Sequence, residues 1–138
     1  MALGHLNDFM KFDFVGFFTG KKFEVTAVRS WDEYKDGEKT GNNLGVRLDC
    51  VITEDKTVYN LKSDETFNNR YRTVTFKIEK KTYDDLIAKK SYLPVNEGDV
   101  IGNFPGCYCP HIIKCTPYGN NGFLNNLSIV VDGFEKVK

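Results

Sequence analysis

The chain has 138 residues, and its 19 basic and 19 acidic side chains cancel. That length implies one domain able to bury a core without disulfides or metal, and the zero balance excludes a global field drawing the chain to polyanions, so any such contact rests on local patches. Eleven Phe and seven Tyr against one Trp suit a β-rich core with aromatics left over, and no apolar run is long enough to span a bilayer.

Residues 1–20 read as an N-terminal arm ahead of a domain over 21–138. Segment 9–18 is aromatic, but Lys11 and Asp13 interrupt it. It lacks a basic leader and a small-residue cleavage site, so no signal peptide is expected and a cytoplasmic protein is. Phe12, Phe14 and Gly16 alternate as in a short strand. The arm either packs on its own domain or, because exposed terminal aromatics seek a partner surface, docks on a neighbouring subunit and makes the protein a homo-oligomer.

The first strand is expected over 21–31, with Phe23, Val25 and Ala27 on one face and Thr26 and Val28 on the other. A polar stretch, 32–43, follows and has no core of its own. The second strand covers 45–54, with Val46, Leu48, Cys50 and Ile52 inward and Arg47, Asp49 and Thr53 outward. Asp36-Gly37 and Gly41-Asn-Asn43 supply turn chemistry for a hairpin. A short strand at 57–61 and a polar loop at 62–69 containing Phe67 come next. The third strand, 71–80, sets Val74, Phe76 and Ile78 against Thr73, Thr75 and Lys77.

A helix is expected over 83–90. Thr82 caps it, Asp84 and Asp85 lie near its positive end, and Lys89 and Lys90 near its negative end. Tyr83, Leu86 and Ile87 form its buried stripe, and Pro94 stops it. Residues 95–101 turn into a fourth strand, and 102–116 continue extended but broken by Pro105 and Pro110. A loop at 117–122 precedes a fifth strand over 124–131, with Leu127, Ile129 and Val131 on one face.

This order (strand, long hairpin, strand, strand, short helix, strand, loop, strand) is that of the OB-fold, an all-β, five-stranded Greek-key barrel with a helix between its third and fourth strands. Glu97-Gly-Asp-Val-Ile101 and Asn126-Leu-Ser-Ile-Val-Val-Asp-Gly-Phe134 are similar to the last two strands of bacterial single-stranded-DNA-binding proteins. Val25-Thr-Ala-Val-Arg-Ser-Trp-Asp-Glu-Tyr-Lys-Asp-Gly37 resembles small OB-fold proteins encoded by conjugative plasmids and phages of Gram-positive bacteria. One such family is the single-stranded-DNA-binding protein found among the transfer genes of enterococcal pheromone-responsive plasmids. The resemblance runs over residues 20–135. It implies a non-enzymatic protein without cofactor that binds single-stranded DNA with little sequence preference, in plasmid conjugation or replication or in phage DNA metabolism. The sequence shows no Gly/Pro/Gln-rich tail with an acidic tip, so the recruitment role of such tails is not expected.

Single-strand binding needs flat side chains for bases and cations for phosphates. On an OB-fold the usual surface is the face of strands two and three, between the first hairpin loop and the loop before strand five. Trp31 and Tyr34 belong to the first of these loops. Arg47 is outward on strand two. Tyr59, Arg70, Tyr71 and Arg72 cluster near the start of strand three, which also carries Lys77. Tyr118 and Phe123 flank the last loop. Within 70–81 five cations stand against Glu79 alone, so the neutral total hides a basic strip. Each of these side chains also has an ordinary reading, as core aromatic or solvated lysine.

Cys107, Cys109, His111 and Cys115 all occupy odd positions, which an unbroken strand would bring to one face, and three Cys with one His is a zinc set. Cys-x-Cys is poor spacing for tetrahedral closure and Pro110 breaks the register, so free thiols are the expected state. Asp32, Glu33, Asp36 and Glu38 alternate with Lys35 and Lys39, which suits solubility better than a Mg²⁺ site. No Ser-His-Asp set, phosphate-cradling Gly loop or Cys-x-x-Cys is present. The competing expectation is an OB-fold protein–protein adaptor in a phage or plasmid assembly, which zero net charge favours.

Overall fold

The computed structural model describes residues 3–4, 12–57, 59, 67–89, 95–119 and 126–138. Several expectations therefore lie outside the described residues: Phe123, Pro94, Lys90, and most of the strand at 57–61 (Val58, Asn60 and Leu61).

The described residues form two short helices and six strands. In chain order these are α1 (Phe14–Phe18), β1 (Lys21–Lys35), β2 (Glu38–Asp55), β3 (Thr73–Glu79), α2 (Lys80–Ala88), β4 (Val100–Gly102), β5 (Tyr108–Tyr118) and β6 (Asn126–Lys136). The strands make one mixed sheet that closes on itself in the order β1-β2-β3-β6-β5-β4. All neighbours are antiparallel except β3 with β6 and β4 with β5. The sheet has six strands rather than five because 102–116 is not one broken strand. The chain turns at Phe104–Cys107, where the Cys107 amide donates to the Phe104 carbonyl at 3.0 Å, and then starts β5.

Alternation explains the interior. Phe23 and Val25 of β1, Leu48, Cys50 and Ile52 of β2, Phe76 and Ile78 of β3, and Ile129 and Val131 of β6 are all buried. Phe76 meets the edge of Phe23 with centroids 5.6 Å apart and tilts against Phe134 at 6.4 Å, the geometries the aromatic quadrupole favours. The arm's strand-like alternation is overruled. Residues 14–18 turn into helix, with the Asp13 carboxylate accepting from the Gly16 amide at 3.0 Å. That turn puts Phe18 flat on Phe23 at 5.5 Å and brings Phe14 and Phe17 against the core.

Two local readings are corrected. The stretch 32–43 is not a loop: β1 and β2 run through it to a two-residue turn at Asp36 and Gly37, whose φ angles of 54° and 84° suit the twist of a hairpin. Its polar side chains bond one another across the ribbon, with Glu33 accepting from Thr40 at 2.9 Å and Asp32 from Asn43 at 3.3 Å. The helix begins at Lys80, directly out of β3, with Glu79 rather than Thr82 at the cap and no side-chain cap bond. The earlier start moves Asp84 and Asp85 to mid-helix, and it turns Ile87 out of the expected stripe to 49% exposure.

Candidate nucleic-acid interface

The outer face of the β2–β3 pair is built by strict alternation. Inward Val74, Phe76 and Ile78 leave Thr73, Thr75 and Lys77 outward, and the register sets Arg47 of β2 directly opposite Lys77. Two like charges opposed across a ladder destabilise it unless something neutral or negative intervenes. For Arg47 that something is Asp49, whose Oδ1 accepts from Nε at 3.0 Å and from an Nη at 2.8 Å. Asp49 also takes Arg29 at 3.0 Å and the Thr75 hydroxyl at 3.2 Å. Lys77 has no ion-pair partner among the described residues. Its ammonium lies 4.9 Å from the centroid of the half-buried Trp31 ring. Burial first, and then the Arg47 charge, lowers its pKa. A cation held beside another cation and desolvated is a site that an anion would relieve.

Lys77 and Arg47 stand on the edge of a groove of about 790 Å3. The groove follows β2 and β3 and reaches the seam with β6, where parallel pairing is limited to Phe76–Ile129 and Lys77–Val130. Thr73 and Val74 line it from β3, Asn126 and Leu127 from β6. Arg47, Arg72 and Lys77 are its cations; Phe67 and Tyr118 are its exposed aromatics, at 49% and 54% exposure. Phe12, Phe17 and Ile52 supply an apolar floor. Among the described residues no Asp or Glu lines it. Such a volume falls within the roughly 300–1,000 Å3 of small-ligand sites.

The structure thus brings Arg47, Arg72, Lys77 and Tyr118 together and joins Trp31 to them through Lys77. Arg70 and Tyr71 form a neighbouring pair, the guanidinium 4.9 Å from the ring centroid. Tyr71 is 70% exposed and held at φ 69°, a left-handed conformation that costs a bulky residue strain. Its amide donates to the Ile52 carbonyl at 2.7 Å, and the Ile52 amide to the Arg72 carbonyl at 2.8 Å, which fixes this bend. Tyr34 stands apart on the projecting ribbon, also exposed.

Tyr59 is engaged elsewhere. Its hydroxyl donates to Asp55 at 2.6 Å and accepts from the Asn69 amide group at 2.7 Å, and its ring is perpendicular to Phe67. Burial, and then the Asp55 hydrogen bond, pushes its pKa up to about 12.

The Cys and His positions do not converge. Register shifts around Ile112 turn Pro110 inward and leave His111 exposed, bonded to Asp132 at 2.5 Å. Cys107 is buried, and Cys109 and Cys115 pack against the core. Burial raises both of these thiol pKa values, Cys115 to about 11, and for Cys109 the Glu135 charge adds to it. Among the described residues no three His, Cys, Asp or Glu side chains form a group that could hold a metal ion, and no helix is long and apolar enough to cross a membrane.

The reading from sequence passed over Phe67, Asn69 and Asn126 as groove residues. Only Phe67 had left a signal, a large apolar residue inside a polar loop. Comparison with protein-family models, curated proteins and solved structures finds no match for this chain.

Proposed function

We propose that this barrel is an OB-fold and that it binds single-stranded DNA, with little sequence preference, along the β2–β3 groove. The strand order, the parallel contact of β3 with β6 and the helix following β3 support the fold. β4 is then a short added strand between β1 and β5, one more than the five of the OB-fold. The observation that carries the function is the groove lining: among the described residues it has three cations, two exposed aromatics and no carboxylate, in a chain whose net charge is zero.

The mechanism follows from side-chain chemistry. Arg72 and Lys77 neutralise phosphates, with Arg47 held in line by Asp49. Tyr118, Phe67 and Tyr71 offer ring faces, and Trp31 stacks with its far side already against an ammonium. Each stacked base contributes roughly 1–3 kcal/mol whatever its identity, which accounts for low sequence preference. No step in this mechanism makes or breaks a covalent bond.

Fluorescence anisotropy with a labelled single strand, its duplex and the matching RNA, at low and moderate salt, tests the reading. Salt-sensitive binding that prefers the single strand supports it. No binding to any of the three at low salt overturns it and leaves the protein–protein adaptor as the better description of the barrel.

A further inference from the structure

Among the described residues the barrel holds one fully buried ion pair, and the groove chemistry does not use it. Lys21 opens β1 and Asp55 closes β2; both side chains are 0% exposed, with Nζ 3.4 Å from Oδ1. Lys21 uses its remaining donors on the Phe17 carbonyl at 2.7 Å and the Thr57 hydroxyl at 2.8 Å, and its ammonium lies 4.3 Å from the Phe17 ring centroid. Asp55 receives the Thr57 amide at 3.1 Å on Oδ1; on Oδ2 it receives the Tyr59 hydroxyl at 2.6 Å and the Asn69 amide at 2.7 Å.

The partners belong to two different pieces of chain. Phe17 ends α1. Tyr59 and Asn69 lie in the connection between β2 and β3, and Tyr59 carries Phe67 edge-on at 5.2 Å. Phe17, Phe67 and Asn69 are all groove-lining residues. The pair therefore sits behind these three lining residues and ties them to the barrel.

A buried ion pair is weak evidence for stability, because an apolar pair of similar volume often does as well. An apolar pair cannot hold a carbonyl on one side and an amide on the other. We propose that the Lys21–Asp55 pair is a positioning device, which fixes α1, Tyr59 and Asn69 so that Phe17 and Phe67 stand as apolar lining of the groove. Lys21 and Asp55 touch no ligand themselves. The ring of Phe67 is correctly placed only while Asp55 holds Asn69 and Tyr59.

The test uses the full chain carrying Lys21→Met with Asp55→Leu, and separately Tyr59→Phe. Hydrogen exchange at the Asn69 amide and single-strand affinity are measured over a salt series. The affinity arm rests on the proposed function of the groove; the exchange arm does not. Both variants are expected to exchange the Asn69 amide faster than the parent. The double variant is expected to bind about tenfold more weakly, the loss of one stacked base. Its salt slope should be unchanged, because no phosphate contact is removed. Parent-like exchange at Asn69 in both variants, or in Tyr59→Phe should the double variant not fold, overturns the proposal. A weakened affinity with a reduced salt slope also overturns it, since that is the mark of lost charge rather than lost position. Failure of the unmodified protein to bind single strands removes the proposed function and leaves the exchange result to decide the positioning role alone.

Discussion

Replacing Arg72 and Lys77 by glutamine isolates the electrostatic part of the groove. Both line it, and neither has an ion-pair partner among the described residues, whereas Arg47 is engaged by Asp49. On a single strand each phosphate contact contributes about 0.7 to the slope of log affinity against log salt, so losing two should flatten the slope by about 1.4. Between 50 and 200 mM salt, a fourfold change, that is a factor of about 7 in affinity. The substitutions should not damage the fold. Lys77 is disfavoured in its charged form by burial and by Arg47, so a neutral side chain there relieves a cost. The assay is anisotropy with a labelled homopolymer at five or so salt concentrations (a convenience, roughly spanning one Debye-length halving), alongside thermal unfolding of each variant. Lys114→Gln on β5, exposed and outside the groove, serves as the control and should leave the slope alone. A double variant that folds and keeps the parental slope would refute the claim that these two cations face phosphate.

Gly45 sits at φ +147° where an added Cβ would lie 1.9 Å from the Ile78 carbonyl oxygen, so Gly45→Ala should cost about 3 kcal/mol in urea unfolding, while Gly37→Ala, at φ +84° with nothing within 4 Å, should cost only about 1. Burial alone would raise the Asp55 pKa, but hydrogen bonds from Tyr59, Asn69 and Thr57 outweigh it and hold the carboxyl at about 2. The unfolded chain therefore takes up this proton first on acidification; about 2 kcal/mol of stability, present above pH 4, should be lost as pH falls towards 2, and Asp55→Asn should show a shallower acid limb in urea titrations at pH 5 and pH 3. Tyr71→Gly should leave stability level or raise it by up to about 1 kcal/mol by relieving the φ of 69°, yet weaken single-strand binding about tenfold; equal binding would remove Tyr71 from the interface.

The barrel was legible where strand alternation is strong. The inward sets of β2 and β3 follow from spacing two, because a half-buried pleat admits only that pattern, whereas β6 buries Val130 as well as Ile129 and Val131. The outward Thr73, Thr75 and Lys77 came with it, and so did Arg47. Elements governed by tertiary context were less visible. Residues 14–18 alternate weakly but form helix, because that turn packs three Phe on the barrel's end. The start of α2 was missed since no side chain caps it; β3 simply runs into it. Tyr59 looked like a free aromatic beside a basic strip, and nothing local announced that Asp55, four residues earlier, would take its hydroxyl. The Lys21–Asp55 pair joins positions 34 apart in sequence, a contact that only the β1–β2 register creates.

The most direct test of the groove as the nucleic-acid interface is an amide chemical-shift map recorded while a short single-stranded oligonucleotide is titrated into labelled protein. The account expects the largest changes at Arg47, Arg72, Thr75, Lys77, Tyr118 and Leu127, falling off towards His111 and Lys114 on β5. Changes centred on β5, or none at saturating oligonucleotide, would contradict it.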